Sequence, residues 1–156
     1  MSASNVLKFI KDKEAEYVDL RFTDPRGKLQ HLTMDSTVVD KDMINDGVFF
    51  DGSSIAGWKA INESDMILKP DPNRMFMDPF TSHNTLVLFC DILDAVKKTP
   101  YERDPRGIAK KADKYLKKTG MVDKASFVQE KELWVSEDVK IKKDRKEWGL
   151  EMNRNK

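Results

Sequence analysis

Hydrophobic and polar positions follow two different periods along the first part of the chain. Residues 4–13 begin with a serine that can cap a helix and carry apolar side chains at helical spacing. Tyr17–Thr23 alternates apolar and polar side chains, which is typical of a strand with one buried face. An Asp-Pro-Arg-Gly turn at 24–27 separates it from a second strand-like stretch at 29–34. The pattern therefore predicts a short helix followed by a β-hairpin.

The middle of the chain predicts a second helix, a polar loop and three strands. Residues 38–47 fit a short helix that a glycine ends. Residues 51–64 follow neither period and are rich in small polar side chains, as in a loop. Short strands are predicted at 66–70 and 74–77. The apolar run Leu86–Leu93 predicts a central strand that is covered on both faces.

The last third of the chain begins with the strongest helix pattern. Residues 104–120 open with Asp-Pro, which supplies an N-cap carboxylate and a proline suited to the first turn, and they close with a glycine. Residues 125–127 and 131–135 predict one more strand. Beyond residue 138 the chain is rich in Lys and Arg with little apolar pattern, which predicts a frayed tail.

This order of elements predicts the fold class. Several short strands in hairpins, flanked by one long and two short helices, are typical of an α+β domain. We expect a β-grasp arrangement, in which the long helix lies across the sheet.

Composition and charge narrow the functional classes. The 156 residues include 28 Lys and Arg against 27 Asp and Glu, and the resulting net charge of +1 argues against a nucleic-acid partner. No apolar run is long enough to span a membrane. The single cysteine, Cys90, excludes an intrachain disulfide and fits a small buried side chain in a reducing compartment. Because the N-terminus has no signal-peptide pattern, we expect a cytoplasmic location.

The polar loop around residues 50–58 is the first candidate for chemistry. Asp51 offers a carboxylate, Ser53 and Ser54 offer hydroxyls, and Trp58 ends the segment. A carboxylate with neighbouring hydroxyl acceptors suits a small cation. The alternative is an Asx-type turn, in which Asp51 accepts a hydrogen bond from the backbone two residues on.

Glu130 and Glu132 are the second candidate. Side chains at i and i+2 of a strand share one face and lie about 6.6–6.8 Å apart along the backbone. Each carboxylate can then reach a separate hard cation such as Mg²⁺ or Mn²⁺, and two such ions can clamp transferring phosphate oxygens. The alternative is a solvated strand face in a charge-rich segment.

His31 and His83 have no partners at the spacing of zinc ligands.

Four segments, by their order and separation, carry a specific resemblance to a known family. They are Val-Asp-Leu-Arg-Phe-Thr-Asp at 18–24, Phe-Asp-Gly-Ser-Ser-Ile-Ala-Gly-Trp-Lys at 50–59, Ile-Asn-Glu-Ser-Asp-Met at 61–66 and Tyr-Glu-Arg-Asp-Pro-Arg at 101–106. With them the chain closely resembles bacterial type I glutamine synthetase, from about Asn5 to Phe127. The resemblance implies a β-grasp N-terminal domain at 1–103, followed by a linking helix and an incomplete start of the catalytic domain at 104–156.

The resemblance also implies a reaction and the residues that serve it. The family ligates ammonia to glutamate with ATP through a γ-glutamyl phosphate, in double rings where the N-terminal domain of one subunit closes the catalytic domain of the next. Asp51 would bind ammonium and help to deprotonate it, Ser54 would line the same pocket, and Asp65 would belong to the same intersubunit loop. Glu130 and Glu132 would each supply a ligand to one of two Mg²⁺ or Mn²⁺ ions.

Departures from the family pattern leave a second hypothesis open. Val128 and Gln129 stand where the family has Gly-Pro before the two glutamates, which changes the backbone angles accessible there. Since the chain ends near the first strand of the catalytic domain, we expect an N-terminal fragment that is inactive alone. The alternative is a free-standing interaction module that docks on a full-length synthetase and modulates its assembly.

Overall fold

The part of the chain that the structure describes falls into two compact units. The computed structural model describes residues 1–55, 57, 64–121, 139–144 and 147–152, the last two stretches by their backbone. The units are Met1–Asp123 and Lys124–Lys156, and each is described by itself. Glu130, Glu132 and the strand predicted at 125–127 and 131–135 lie outside the described residues. A domain boundary after residue 103 stays a prediction.

The first unit combines helices with one mixed sheet. Its described helices are α1 (Ala3–Asp12), α2 (Lys41–Asp46) and α3 (Pro105–Thr119), and its described strands are β1 (Tyr17–Thr23), β2 (Leu29–Asp35), β3 (Val48–Asp51), β4 (Asp65–Met77) and β5 (Thr85–Asp94). The strand order is β2-β1-β5-β4-β3, in which β1 and β5 are parallel and the other neighbours antiparallel. The α+β prediction is confirmed. None of the described helices is long and apolar enough to cross a membrane.

The hydrophobic core lies on one face of this sheet. Its fully buried strand residues, all apolar and all on the central strands, are Val18, Leu20, Met66, Leu68, Leu86, Leu88 and Ile92. Val6 of α1 and Ile44 of α2 are buried against them. Each such side chain contributes about 1.5–3 kcal/mol when it leaves water. The two short helices therefore cover the core face of the sheet.

β4 is one long strand where the sequence predicts two short ones. Its antiparallel pairing with β5 continues from Met66 to Met77, with a shift of register between Pro70 and Met75. A proline has no N–H for the ladder and is tolerated at a bulge, and Pro70 and Pro72 both lie at this shift. The Asp-Pro-Asn segment therefore bends a strand rather than ending it.

The long helix α3 does not bury its apolar positions. Ile108 and Tyr115 are 54% and 68% exposed, and none of the α3 side chains is buried. Residues of its first half, with Asp91 and Leu93 of β5, line a cavity of about 320 Å³. Helix α3 therefore buries little of its surface against the described sheet, whose core face is covered by α1 and α2.

Asp104 ties the start of α3 to the sheet. Its carboxylate accepts hydrogen bonds from the backbone N–H groups of Arg106 and Gly107, at 3.1 and 3.0 Å, and from that of Ile92 in β5, at 3.3 Å. Burial raises the pKa of Asp104, against the lowering effect of these three donors. The predicted N-cap is confirmed, and so is the glycine that ends the helix, since Gly120 is left-handed with φ +67°.

We predict that Asp104→Ala destabilises the fold by about 2–4 kcal/mol. The substitution removes a helix cap and also leaves the buried N–H of Ile92 without its acceptor. Urea unfolding followed by circular dichroism measures the loss. Asp113→Ala is the matched control, because Asp113 pairs with Lys117 on the exposed side of the same helix and should cost less than about 1 kcal/mol. Equal losses for the two variants would contradict the prediction.

A buried carboxylate organises the polar face of the β1–β2 hairpin. Asp19 accepts hydrogen bonds from Arg21 Nε at 2.7 Å and Thr33 Oγ1 at 2.7 Å, and lies 2.9 Å from His31 Nδ1. Arg21 also pairs with Asp78, just after β4. Burial alone would raise the pKa of Asp19, but its hydrogen bonds with Arg21, Thr33 and His31 outweigh burial and lower it. The polar side chains of Asp19 and Arg21 in β1 are therefore hydrogen-bonded within the domain.

We predict that Asp19→Asn weakens the fold at neutral pH and flattens its loss of stability in acid. Because the folded state lowers the Asp19 pKa from its ordinary value of 3.8, the stabilisation is present above about pH 4 and is lost as the pH falls through the folded pKa. We expect a loss of about 1.5–3 kcal/mol at pH 7. Urea unfolding between pH 7 and pH 2 measures it. Asp12→Asn, at the exposed end of α1, is the control; a parallel pH profile for both variants would refute the assignment.

The second unit contains a hairpin where the sequence predicts a frayed tail. β6 (Val139–Asp144) and β7 (Glu147–Met152) pair in antiparallel register. That register sets Val139 opposite Met152 and Ile141 opposite Leu150. The prediction of a frayed tail is wrong, because each strand contains a short alternation of apolar and polar residues that is typical of a β-strand. Lysines and glutamates outnumber the apolar residues in this segment and obscure the alternation.

Candidate functional site

Two carboxylates face each other at the end of the edge strand β3. In the antiparallel pairing of β3 with β4, Asp51 lies directly opposite Asp65. Opposite residues of neighbouring strands share a face, and like charges in this position are destabilising. The backbone N–H of Gly52 donates to the carbonyl of Ser64 at 2.8 Å, so the pairing continues one residue into the loop. The register therefore places two exposed aspartates opposite each other at the edge of the sheet.

The Asp51 carboxylate is held by the hydroxyls and backbone of its own loop. Its Oδ1 accepts from the backbone N–H of Ser53 at 2.8 Å and from the Ser53 hydroxyl at 2.7 Å. These two bonds, with a weaker contribution from the Ser64 hydroxyl, lower the Asp51 pKa against the small opposing effect of burial. The Asx-type turn is confirmed, and it keeps a charged carboxylate in place at neutral pH.

Ser54 stabilises the turn that carries Asp51, and its predicted place in the ammonium pocket stays a prediction. Its hydroxyl donates to the backbone carbonyl of Asp51 at 2.6 Å and closes the 3₁₀ turn Gly52–Ser54. The hydroxyls that act on the carboxylate belong to Ser53 and Ser64. Sequence reasoning could have identified Ser53, because an Asx turn bonds the residue two positions on. Ser64 depends on the register of β3 with β4, which the sequence alone does not give.

Gly52 allows the loop to lie directly on the sheet. A Cβ atom at Gly52 would lie 2.3 Å from Met66 Sδ and 2.9 Å from the Ser64 carbonyl oxygen. Met66 is fully buried in the core, so the contact cannot be relieved towards solvent. The absence of a side chain at this position fixes how closely Asp51 and Ser64 approach each other.

A second contact reaches the loop from the segment before α3. The guanidinium of Arg103 donates from Nη1 to the carbonyl of Gly57 at 3.1 Å, and Gly57 has a left-handed φ of +88°. Trp58, Asn62 and Glu63 lie outside the described residues. The contact links two of the segments that carried the family resemblance, the Asp-Gly-Ser-Ser loop and Tyr-Glu-Arg-Asp-Pro-Arg.

The described residues contain no group of three or more His, Cys, Asp or Glu side chains that could hold a metal ion. Glu130 and Glu132, the predicted metal ligands, lie outside that part of the chain. Cys90 is buried, and burial raises the pKa of its thiol well above the usual range, as expected for an unreactive side chain. The candidate site is therefore the Asp51, Ser53, Ser64 and Asp65 group.

Comparison with known proteins decides the family. A family model described as the beta-Grasp domain of glutamine synthetase matches residues 14–95. The chain belongs to this family. The match spans β1 to β5 and includes the whole Asp51–Asp65 loop.

Curated relatives extend the similarity beyond the β-grasp domain. The glutamine synthetase of Rhizobium meliloti is 57% identical over 152 residues, which is 97% of this chain and 32% of the relative. That of Azorhizobium caulinodans is 54% identical over 152 residues, with the same two shares. The chain therefore spans about a third of the length of these relatives.

A solved structure supports the same fold. The cryo-EM structure of Plasmodium falciparum glutamine synthetase superposes with a TM-score of 0.78 at 22% identity, over 97% of this chain and 29% of that one. At this identity the match establishes the fold. It agrees with the β-grasp arrangement of the described sheet.

We predict that Gly52→Ala displaces the loop and destabilises the domain by about 1–3 kcal/mol, because the added methyl group collides with Met66 and the Ser64 carbonyl. Urea unfolding and the ¹³C-methyl resonance of Met66 measure both effects. Gly57→Ala is the control, since nothing lies within 4 Å of its Cβ position; its cost comes only from its positive φ. An unmoved Met66 resonance in Gly52→Ala would contradict the prediction.

Proposed function

We propose that this chain supplies the ammonium-binding residues of a glutamine synthetase, with Asp51 as the principal ligand of the cation. The observation that carries the proposal is the juxtaposition of Asp51 and Asp65 at the end of β3. Two adjacent like charges cost stability in the free domain, and a bound cation offsets that cost. Ammonium is small, carries one positive charge and donates four hydrogen bonds, which suits carboxylate and hydroxyl acceptors.

The lowered pKa of Asp51 separates two roles within this proposal. A carboxylate whose pKa lies below its ordinary value stays charged at neutral pH and attracts ammonium. The same shift makes it a weaker proton acceptor. Asp51 therefore first captures the ammonium cation. It helps to remove a proton from ammonium only in the assembled site, where the surroundings of its carboxylate change. Ser54 supports the backbone of this loop, and Asp65 supplies the second negative charge.

The remaining chemistry requires groups beyond the described residues. Glu130 and Glu132 are proposed as one ligand each to two Mg²⁺ or Mn²⁺ ions, which would neutralise the phosphates of ATP during transfer to glutamate. Six oxygen ligands around each Mg²⁺ require further side chains. Since the chain spans about a third of the length of its relatives, we expect neighbouring synthetase subunits to complete the site and the chain alone to form no glutamine.

A cytoplasmic location agrees with the single, buried Cys90.

We predict that the chain restores activity when it replaces the matching N-terminal segment of the Rhizobium meliloti enzyme. In this chimera, Asp51→Asn should raise KM for ammonium by roughly 10–100-fold, because a charged acceptor is lost, while KM for ATP changes little. Steady-state assays of glutamine formation with varied ammonium and varied ATP measure the two constants.

The matched control is Asp35→Asn. Asp35 ends β2 and accepts from the backbone N–H and hydroxyl of Thr37 at 2.9 and 2.6 Å, the same turn that Asp51 forms with Ser53. It carries no role in the proposal and should leave KM for ammonium unchanged. Equal KM values for the two variants would overturn the assignment of Asp51. Modulation of a full-length synthetase by the separate chain, without restored activity in the chimera, would favour the interaction-module alternative.

A further inference from the structure

Asp51 is held by donors from both ends of its loop. Ser53 lies two residues after Asp51, whereas Ser64 immediately precedes its cross-strand partner Asp65. We propose that Ser53 and Ser64 are positioning residues, which together fix the orientation of the Asp51 carboxylate for capture of ammonium. The inference rests on the proposed function and goes beyond it, because Ser54 is the serine to which the family resemblance assigns a role in this pocket.

Ser53 restricts the carboxylate through a single oxygen. Its backbone N–H and its hydroxyl both donate to Oδ1 of Asp51, at 2.8 and 2.7 Å. Two donors on one oxygen fix the direction of that C–O bond and hence the plane of the carboxylate. Hydrogen bonds to a charged acceptor are shorter and stronger than those between neutral groups, so this arrangement resists rotation.

Ser64 is held in place by the backbone. Its carbonyl accepts from Gly52 N–H at 2.8 Å, and the same carbonyl oxygen would lie 2.9 Å from a Cβ at Gly52. Below it, Met66 is fully buried. The hydroxyl of Ser64, which helps to lower the Asp51 pKa, therefore reaches Asp51 from the residue that immediately precedes β4.

Ser54 does not share this role, because its hydroxyl donates to the Asp51 backbone carbonyl.

Asp35 provides an internal comparison, because it forms the same turn at another place in the chain. Thr37 donates to Asp35 in the way that Ser53 donates to Asp51, and these bonds lower the Asp35 pKa. The chain thus contains a second Asx turn in which the effects of substitutions can be checked for specificity.

The first experiment is a carboxylate ¹³C NMR titration of the chain. Ser53→Ala and Ser64→Ala should each move the Asp51 titration towards the ordinary value of 3.8, and Ser53→Thr should restore it because threonine keeps the hydroxyl. Ser54→Ala should leave it unchanged. Asp35 serves as the reference for folding in every variant, since its own titration should not move. An unshifted Asp51 in Ser53→Ala, with Asp35 also unshifted, would overturn the proposal.

The second experiment separates positioning from the proposed function. In the chimera, Ser53→Ala and Ser64→Ala should raise KM for ammonium by roughly tenfold, the effect typical of removing a group that orients a ligand, and Ser53→Thr should recover it. If Asp51→Asn raises KM but neither alanine variant does, the positioning role is refuted. If Asp51→Asn itself leaves KM unchanged, the ammonium-site function fails, while the NMR titration still judges the hydrogen bonds.

Discussion

The pairing of β3 with β4 is the constraint on which the candidate site depends. It places Asp51 opposite Asp65, the missing side chain of Gly52 lets the loop lie directly on Met66, and the hydrogen bond from Gly52 N–H to the Ser64 carbonyl holds it there. A slip of one residue would turn Asp51 to the other face of the sheet. The hydrophobic core opposes such a slip, since Met66 of the same strand is fully buried. The geometry of an exposed site is therefore fixed by packing beneath it.

Two buried aspartates hold other elements of the domain in place. Asp19 joins the two strands of the first hairpin through its hydrogen bonds with Arg21 and Thr33, and Asp104 joins α3 to β5 through the N–H of Ile92. A buried carboxylate that loses its partners costs more than its hydrogen bonds contribute on balance. These two aspartates therefore fix the relative placement of elements that apolar packing alone would allow to shift.

Local signals in the sequence predicted much of this fold. The alternation of Tyr17–Thr23, the Asp104 cap and the Gly120 stop all concern neighbours in the chain, and all three are confirmed. The errors concern tertiary context. The helical pattern of α3 gave no information about how little of that helix is buried in the described fold. The shift of register at Pro70 likewise depends on pairing with β5, which periodicity within β4 cannot reveal.

The candidate site shows the same division between local and long-range information. Asp35 and Asp51 form the same Asx turn after a strand, and both turns lower the pKa of the carboxylate. The turn alone therefore does not distinguish a structural aspartate from a ligand-binding one. What differs is the neighbour across the sheet: Asp51 faces Asp65, whereas Asp35 pairs with Tyr17. A second negative charge makes the first site attractive to a cation, and that charge is brought there by the fold rather than by the adjacent sequence.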